Sequence, residues 1–258
     1  MSYQTIRYEE TDGIAVITLD REAVMNALNR AMRAEITEAV GRAAGAARVI
    51  VLTGAGRAFC SGQDLSDPAV ADGFDVGRVL AEEYEPMLRA ILAARVPVIA
   101  AVNGTAAGAG ANLALAADVV IAAESASFIQ AFTRIGLIPD AGGTYVLPRT
   151  IGMARAMGAA LFADKVSARQ AADWGMIWEA VPEDTFEAHW RARAAALAKG
   201  PTEAFARIKT AMRASLGNDL DTQLSLEAAL QGECGETADF REGVNAFLEK
   251  RPARFQGR

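Results

Sequence analysis

Asp140 is the residue in this chain best placed to do chemistry. It stands between Pro139 and the pair Gly142-Gly143, in a stretch from Phe132 to Thr144 that is otherwise mostly apolar. Desolvation raises the pKa of a carboxylate in such surroundings and brings it nearer to a useful general base at neutral pH. The competing reading is an N-cap for a helix that starts near Gly142. Two further segments could complete a site. Gly56 to Leu65 follows an apolar run, and Gly62 within it permits backbone geometries closed to other residues. Free N–H groups at such a turn can bind a developing oxyanion. Asn103 to Asn112 is a small-residue turn that leads into Leu113-Ala114-Leu115. A helix opening there presents unpaired N–H groups and the positive end of its dipole. Taken singly, these two segments also read as a plain strand-to-loop connection and as small residues that allow close helix packing.

Other chemistries find less support. The second turn has no Lys-Ser/Thr after its glycines, so it is not a phosphate loop, and Gly108-Ala109-Gly110 lacks the third glycine of a dinucleotide site. His189 is the sole histidine and lies among Glu187, Trp190 and Arg191, which predicts a solvated side chain on a surface helix. A Ser-His-Asp or His-metal site would have to be built around this one histidine, which nothing nearby supports, and no CxxC or Cys/His cluster suggests a metal. Cys60 reads as a small buried residue, and Glu82, Glu83 and Glu85 as a solvated helix face that could border a ligand pocket.

The elements that must hold these segments alternate. β-Branched or apolar runs at 14–19, 49–52, 98–102 and 119–121 predict buried strands. Helical spacing links Met32, Ile36, Val40 and Ala43, and again Val79, Tyr84, Met87 and Ile91. Strands alternating with helices predict an α/β core. From Ile151 onward the pattern is helical, with capping-box spacing at Ser167 and Gln170 and helices around 186–197, 204–216, 220–230 and 240–248. These last helices are expected to pack on the core or on a neighbouring subunit.

Composition narrows the function classes. A chain of 258 residues, 52% apolar with net charge −6, can bury a large core and argues against a nucleic-acid or anionic-membrane surface. Two cysteines make no disulfide framework, Met1 to Tyr8 shows no signal pattern, and no apolar run reaches the length of a membrane span. A reducing bacterial-type cytoplasm is the expected compartment.

Together the three segments, with Asp20 to Leu28 before them, resemble the crotonase (enoyl-CoA hydratase/isomerase) superfamily over nearly the whole chain. The resemblance implies a crotonase (ClpP-like) spiral of ββα units over 1–200 and a C-terminal helical trimerisation region over 201–258, in a homotrimer or a dimer of trimers. It implies an acyl-CoA substrate, with coenzyme A part of that substrate, no separate cofactor and no metal. Matched by position, the backbone N–H groups of Gln63 and Ala109 are the oxyanion donors, beside Gly108. CoA is expected near Val24, Ala27, Ser61, Gly62, Asp64 and Leu65, with Phe247 and Lys250 reaching it from a neighbouring subunit. The two glutamates of the family's hydratases correspond to Asn112 and Phe132, which cannot transfer protons as carboxylates do. Asp140, after Pro139, matches the acidic position of several isomerase branches. The stretches 108–112, 135–143, 174–178 and 247–251 resemble most closely the branch that isomerises ring 1,2-epoxyphenylacetyl-CoA to oxepin-CoA in bacterial phenylacetate degradation. That implies one carboxylate moving one proton, inside a small dry pocket around Phe132, Leu137 and Ile138. A 3,2-enoyl-CoA isomerase, a hydratase and a non-catalytic acyl-CoA-binding subunit are the alternatives.

Overall fold

The first apolar run forms β2 (Ile14–Leu19), which pairs as a hairpin with the largely polar β1 (Ile6–Thr11) across the positive-φ residues Asp12 and Gly13. A two-residue turn with both φ values positive matches the twist of the strands it joins. Helix α1 (Arg30–Ala46) follows, capped by Asn29, whose side chain accepts the Met32 N–H. Next come β3 (Val49–Gly54), the short β4 (Ala58–Cys60), and a continuous helical stretch of α2 (Val76–Val79), a π turn (Leu80–Tyr84) and α3 (Glu85–Ala93). The computed structural model describes residues 3–67 and 75–258. Then come β5 (Val98–Val102), β6 (Thr105–Ala107), α4 (Ala109–Leu115), β7 (Val119–Ala123) and β8 (Ser127–Ile129). The chain continues through α5 (Gly143–Thr150), α6 (Gly152–Phe162), β9 (Lys165–Ser167), α7 (Ala168–Asp173), β10 (Glu179–Val181) and α8 (Phe186–Ala198). Helices α9 (Thr202–Ala214), α10 (Leu220–Gly235) and α11 (Ala238–Leu248) complete it.

Two sheets result, ordered β1-β2-β3-β5-β7-β10 and β4-β6-β8-β9. From β3 to β8 each turn of the chain gives one strand to each sheet before a helical segment or a loop, which is the expected spiral of ββα units. The pairings β3–β5, β5–β7, β4–β6 and β6–β8 are parallel, so successive turns leave the sheets at the same edge. The central strands are buried on both faces. Ile17, Leu52 and Ala100 point with α1, α3 and α4 into one core, while Val51, Ile99 and Ile121 point into a second with Phe186, Trp190 and Ala194 of α8. No helix among the described residues is long and apolar enough to cross a membrane.

Helices α9 and α10 contribute no fully buried residue, and ion pairs tie α9 to the core. Lys209 Nζ and Arg213 Nη2 each lie 2.7 Å from the Asp118 carboxylate, and Lys209 also donates to the Val96 carbonyl. Two surface expectations need correction. Glu83 accepts from the buried Arg33 at 2.5 Å rather than standing in solvent. His189 is not freely solvated but sits 2.7 Å from Glu179 on β10.

Asn26 joins the start of α1 to the turn before β4. Its fully buried amide donates to the carbonyls of Ala55 and Ala58, accepts from Arg21 N, and sits at φ 56°. Asn26→Ala orphans these groups and strains the backbone, so urea unfolding should show a loss of roughly 2–4 kcal/mol.

Candidate active site

The turn after β4 is clamped from several sides. Leu28 N donates to Gly62 O at 2.7 Å and Leu28 O accepts from Asp64 N, so Gln63 runs alongside Leu28. Ser61 N donates to Met25 O and its hydroxyl to Val24 O. Asp64 is buried, with its carboxylate taking the Ser66 hydroxyl and amide and the Arg21 guanidinium at 2.8 Å. The Ser66 hydroxyl and then Arg21 hold that carboxyl below the usual range. The Gln63 side chain is engaged too, its Oε1 accepting from Arg33 Nη1 at 3.0 Å and from the Tyr84 hydroxyl at 2.8 Å. Arg33 also donates to Leu28 O and stacks over the Tyr84 ring, 4.8 Å from its centroid. The backbone N–H of Gln63 has no acceptor among the described residues.

The turn after β6 lies directly against this one. A Cβ on Gly110 would meet Cys60 O at 2.3 Å, and one on Gly62 would meet Ala107 O at 2.8 Å and Ala109 N at 3.4 Å. Side chains at these positions would force the turns apart. Gly108, at φ 52° and ψ −129°, swings the chain so that Ala109 opens α4. As the first helical residue, Ala109 has an N–H with no intrahelical partner, and no side chain caps it. Two unspent donors, Gln63 N and Ala109 N, therefore flank the contact between the turns.

Asp140 arrives from the third segment. After a 3-10 turn (Ala131–Ile135) the chain passes Gly136 and turns again at Ala141 and Gly142, both with positive φ. The N-cap of α5 is Gly142, with no side-chain cap bond, so Asp140 is not the cap that its sequence position allows. Its Oδ1 is shielded from solvent with no hydrogen-bond donor. Burial pushes the carboxyl up to about 6.

A cavity of about 270 Å³ collects Ser61, Gly62, Gln63, Leu65, Gly108, Ala109, Phe132 and Asp140. Tyr84 and Leu80 of the π turn close its other wall, as anticipated for a helix bordering the pocket. A larger cavity, about 850 Å³, shares Tyr84, Leu137 and Asp140 and continues past Asn112 and Pro139 to Leu88 and Tyr145. Ile138 belongs to this second space and is 76% exposed, so it does not dry the first. Asp64 faces Arg21 rather than the cavity, and Val24 and Ala27 support the turn from behind. Phe247, 82% exposed, and Lys250 lie outside both cavities of their own chain. Arg134 and Ile135 also line the smaller cavity. Arg33 and Arg134 went unforeseen: nothing in their local pattern separates them from surface arginines.

Cys60 is buried and inert, its thiol pushed up to about 12 by desolvation. The arrangement can polarise a carbonyl oxygen with two backbone donors while a poised carboxylate removes a neighbouring proton. The enoyl-CoA hydratase/isomerase family profile matches residues 9–258. A Rhodobacter capsulatus protein named "Probable enoyl-CoA hydratase" is 69% identical over the full length of both chains. The 1,2-epoxyphenylacetyl-CoA isomerase of Escherichia coli is 46% identical, covering 95% of this chain and 96% of its own. The crystal structure of an enoyl-CoA hydratase from Bacillus anthracis superposes with a TM-score of 0.93 at 34% identity, covering 99% of this chain and all of that one. With the fold, the paired turns and these relatives in agreement, the chain belongs to the enoyl-CoA hydratase/isomerase family.

Proposed function

We propose that this enzyme is an isomerase that converts ring 1,2-epoxyphenylacetyl-CoA to oxepin-CoA by moving one proton with one carboxylate. The observation that carries this reading is Asp140. Among the described residues it is the one carboxylate lining the cavity beside the two backbone donors, with a pKa near neutrality. The arene epoxide opens to its seven-membered oxepin tautomer, which holds a double bond β,γ to the thioester. Asp140 takes the proton from the α carbon, and the electron pair moves onto the thioester oxygen. Gln63 N–H and Ala109 N–H stabilise that enolate, a contribution of roughly 3 kcal/mol per donor at comparable sites. Asp140 then returns the proton to the γ carbon, which brings the alkene into conjugation. The 46% identity to the E. coli epoxide isomerase supports this choice of substrate.

Hydration fits the residues less well, even though the Rhodobacter relative carries that name. Adding water needs a second acid or base. Asn112 has both ends of its amide hydrogen-bonded, and Phe132 offers a phenyl ring. The same machinery would serve an aliphatic 3-enoyl-CoA, for which the larger apolar cavity offers room.

CoA is proposed to lie along Ser61 to Leu65, the segment backed by Val24 and Ala27. Phe247 and Lys250 would reach it from a neighbouring copy, in a homotrimer or a dimer of trimers. Exposed apolar residues on the last three helices, Met212, Leu220 and Leu248 among them, support such an assembly. Sedimentation should give the mass of three or six chains, and a monomer would remove Phe247 and Lys250 from the site.

The deciding assay follows freshly generated 1,2-epoxyphenylacetyl-CoA to oxepin-CoA by chromatography. Wild type should convert it, and Asp140→Asn should fold yet lose at least about 100-fold in kcat. Only the ionised base accepts a proton, so wild-type kcat/KM should fall about tenfold per pH unit below pH 6 and level off above it. No conversion, with aliphatic 3-enoyl-CoA turned over instead, would move the reading to a 3,2-enoyl-CoA isomerase. No turnover of either by a folded, CoA-binding protein would leave an acyl-CoA-binding subunit.

Ala109→Pro tests the oxyanion donor with little cost to the fold. Proline is tolerated at the first helical position and removes only the N–H that lacks a partner there. A kcat loss of roughly 100- to 1,000-fold is expected with thermal unfolding little changed. Unchanged kcat would exclude Ala109 N as a donor.

A further inference from the structure

The Asp140 segment belongs to no helix or strand; its carbonyl accepts the Gly143 N–H at 2.8 Å in a local turn through the positive-φ residues Ala141 and Gly142. A side chain from α4 ties that turn to the core. Asn112, 2% exposed, donates from Nδ2 to the backbone carbonyl of Asp140 at 2.8 Å. Its Oδ1 accepts from Gln130 Nε2 at 2.9 Å, and Gln130 is itself 3% exposed, just past the end of β8. Gly143 presses on the same amide, where a Cβ would come within 2.4 Å of Asn112 Nδ2. The Asn112 side chain is thus gripped from both ends and packed from above, and it has no freedom to choose another rotamer.

Its place in the chain gives this grip a consequence. Ala109 opens α4 and Asn112 lies one turn further along the same helix. One short rigid element therefore carries an unspent backbone donor at its start and the hydrogen bond to the Asp140 segment at its fourth residue.

We propose that Asn112, oriented by Gln130, is a positioning residue that registers the Asp140 carboxylate against the Ala109 N–H and keeps it shielded from water. A displacement on the order of 1 Å between base and oxyanion donor is enough to cost about 100-fold in rate. The proposal rests on Asp140 being the base, but its principal test needs no turnover.

That test is a carboxyl ¹³C NMR titration of the full-length protein labelled at aspartate. The Asp140 signal is identified by its loss in Asp140→Asn. Wild type should titrate near pH 6. Asn112→Leu keeps the branched shape of the side chain, with added bulk, while removing the donor and the acceptor. The freed segment should let water reach the carboxyl, and its midpoint should fall toward the ordinary aspartate value of about 4. On the substrate that wild type converts, kcat should drop roughly 10- to 100-fold while KM moves less than about threefold.

A purely structural role would lower the unfolding temperature and leave the midpoint in place. An unchanged midpoint overturns the proposal whatever happens to turnover, and so does a lowered midpoint with unchanged kcat. Should Asn112→Leu fail to fold, Gln130→Met releases the amide from its far end and must move both readouts in the same directions. A wild type that turns over no acyl-CoA would remove the functional reading, leaving the titration to decide the positional one.

Discussion

The turns that follow β4 and β6 meet at a separation that leaves no room for a Cβ on either side. Gly110 lies under the Cys60 carbonyl and Gly62 against Ala107, and everything at the site is arranged by that contact. It exists because β3 pairs with β5 and β4 with β6 in parallel, so both turns emerge at the same edge of the two sheets. The clamp formed by the buried Asn26 and Arg33 with the half-buried Arg21 then holds the first turn down. The opening of α4 orients the second. Two backbone N–H groups remain unspent where the turns meet, which is what a thioester oxygen requires.

Two aspartates near this contact show how surroundings divide the labour. Asp64 takes a hydroxyl, an amide and a guanidinium and is held well ionised as part of the scaffold. Asp140 has a shielded Oδ1 with no donor among the described residues and is pushed up to about 6 by burial. Environments that drive like groups apart mark which one can exchange protons near neutrality. Leaving Oδ1 of Asp140 without a donor costs stability, and the Asn112 amide is hydrogen-bonded to the backbone of the same residue.

Much of this was legible in the sequence because long elements carry their own signal. The β-branched runs became β2, β3, β5 and β7, and the apolar spacing of α1, α3, α8 and α11 located those helices well. The second sheet was not legible. Its strands β4, β6, β8 and β9 have three residues each, among alanines and serines, and three residues cannot display a period. Strand β1 alternates poorly because its Arg7, Glu9, Glu10 and Thr11 lie toward solvent at the sheet edge. Asp140 illustrates a deeper limit. Cap and base look alike along the chain, and only the fold puts Gly142 at the N-cap and a cavity around the carboxyl. Arg33 is similar: a charged residue next to Met32 reads as surface until its partners Glu83, Gln63 and Tyr84 arrive from elsewhere.

That the proposed oxyanion donors belong to the main chain has a consequence for how such a protein diverges. A point change in the gene replaces a side chain, and apart from proline no replacement deletes an N–H group. Beyond the glycines that let the two turns meet, the part of the site suited to a thioester oxygen is thus little altered by point mutation. The proton-handling part hangs on single side chains that one codon can alter. Descent from a common ancestor can therefore trade one reaction for another at the base position while the grip on the shared carrier is inherited intact.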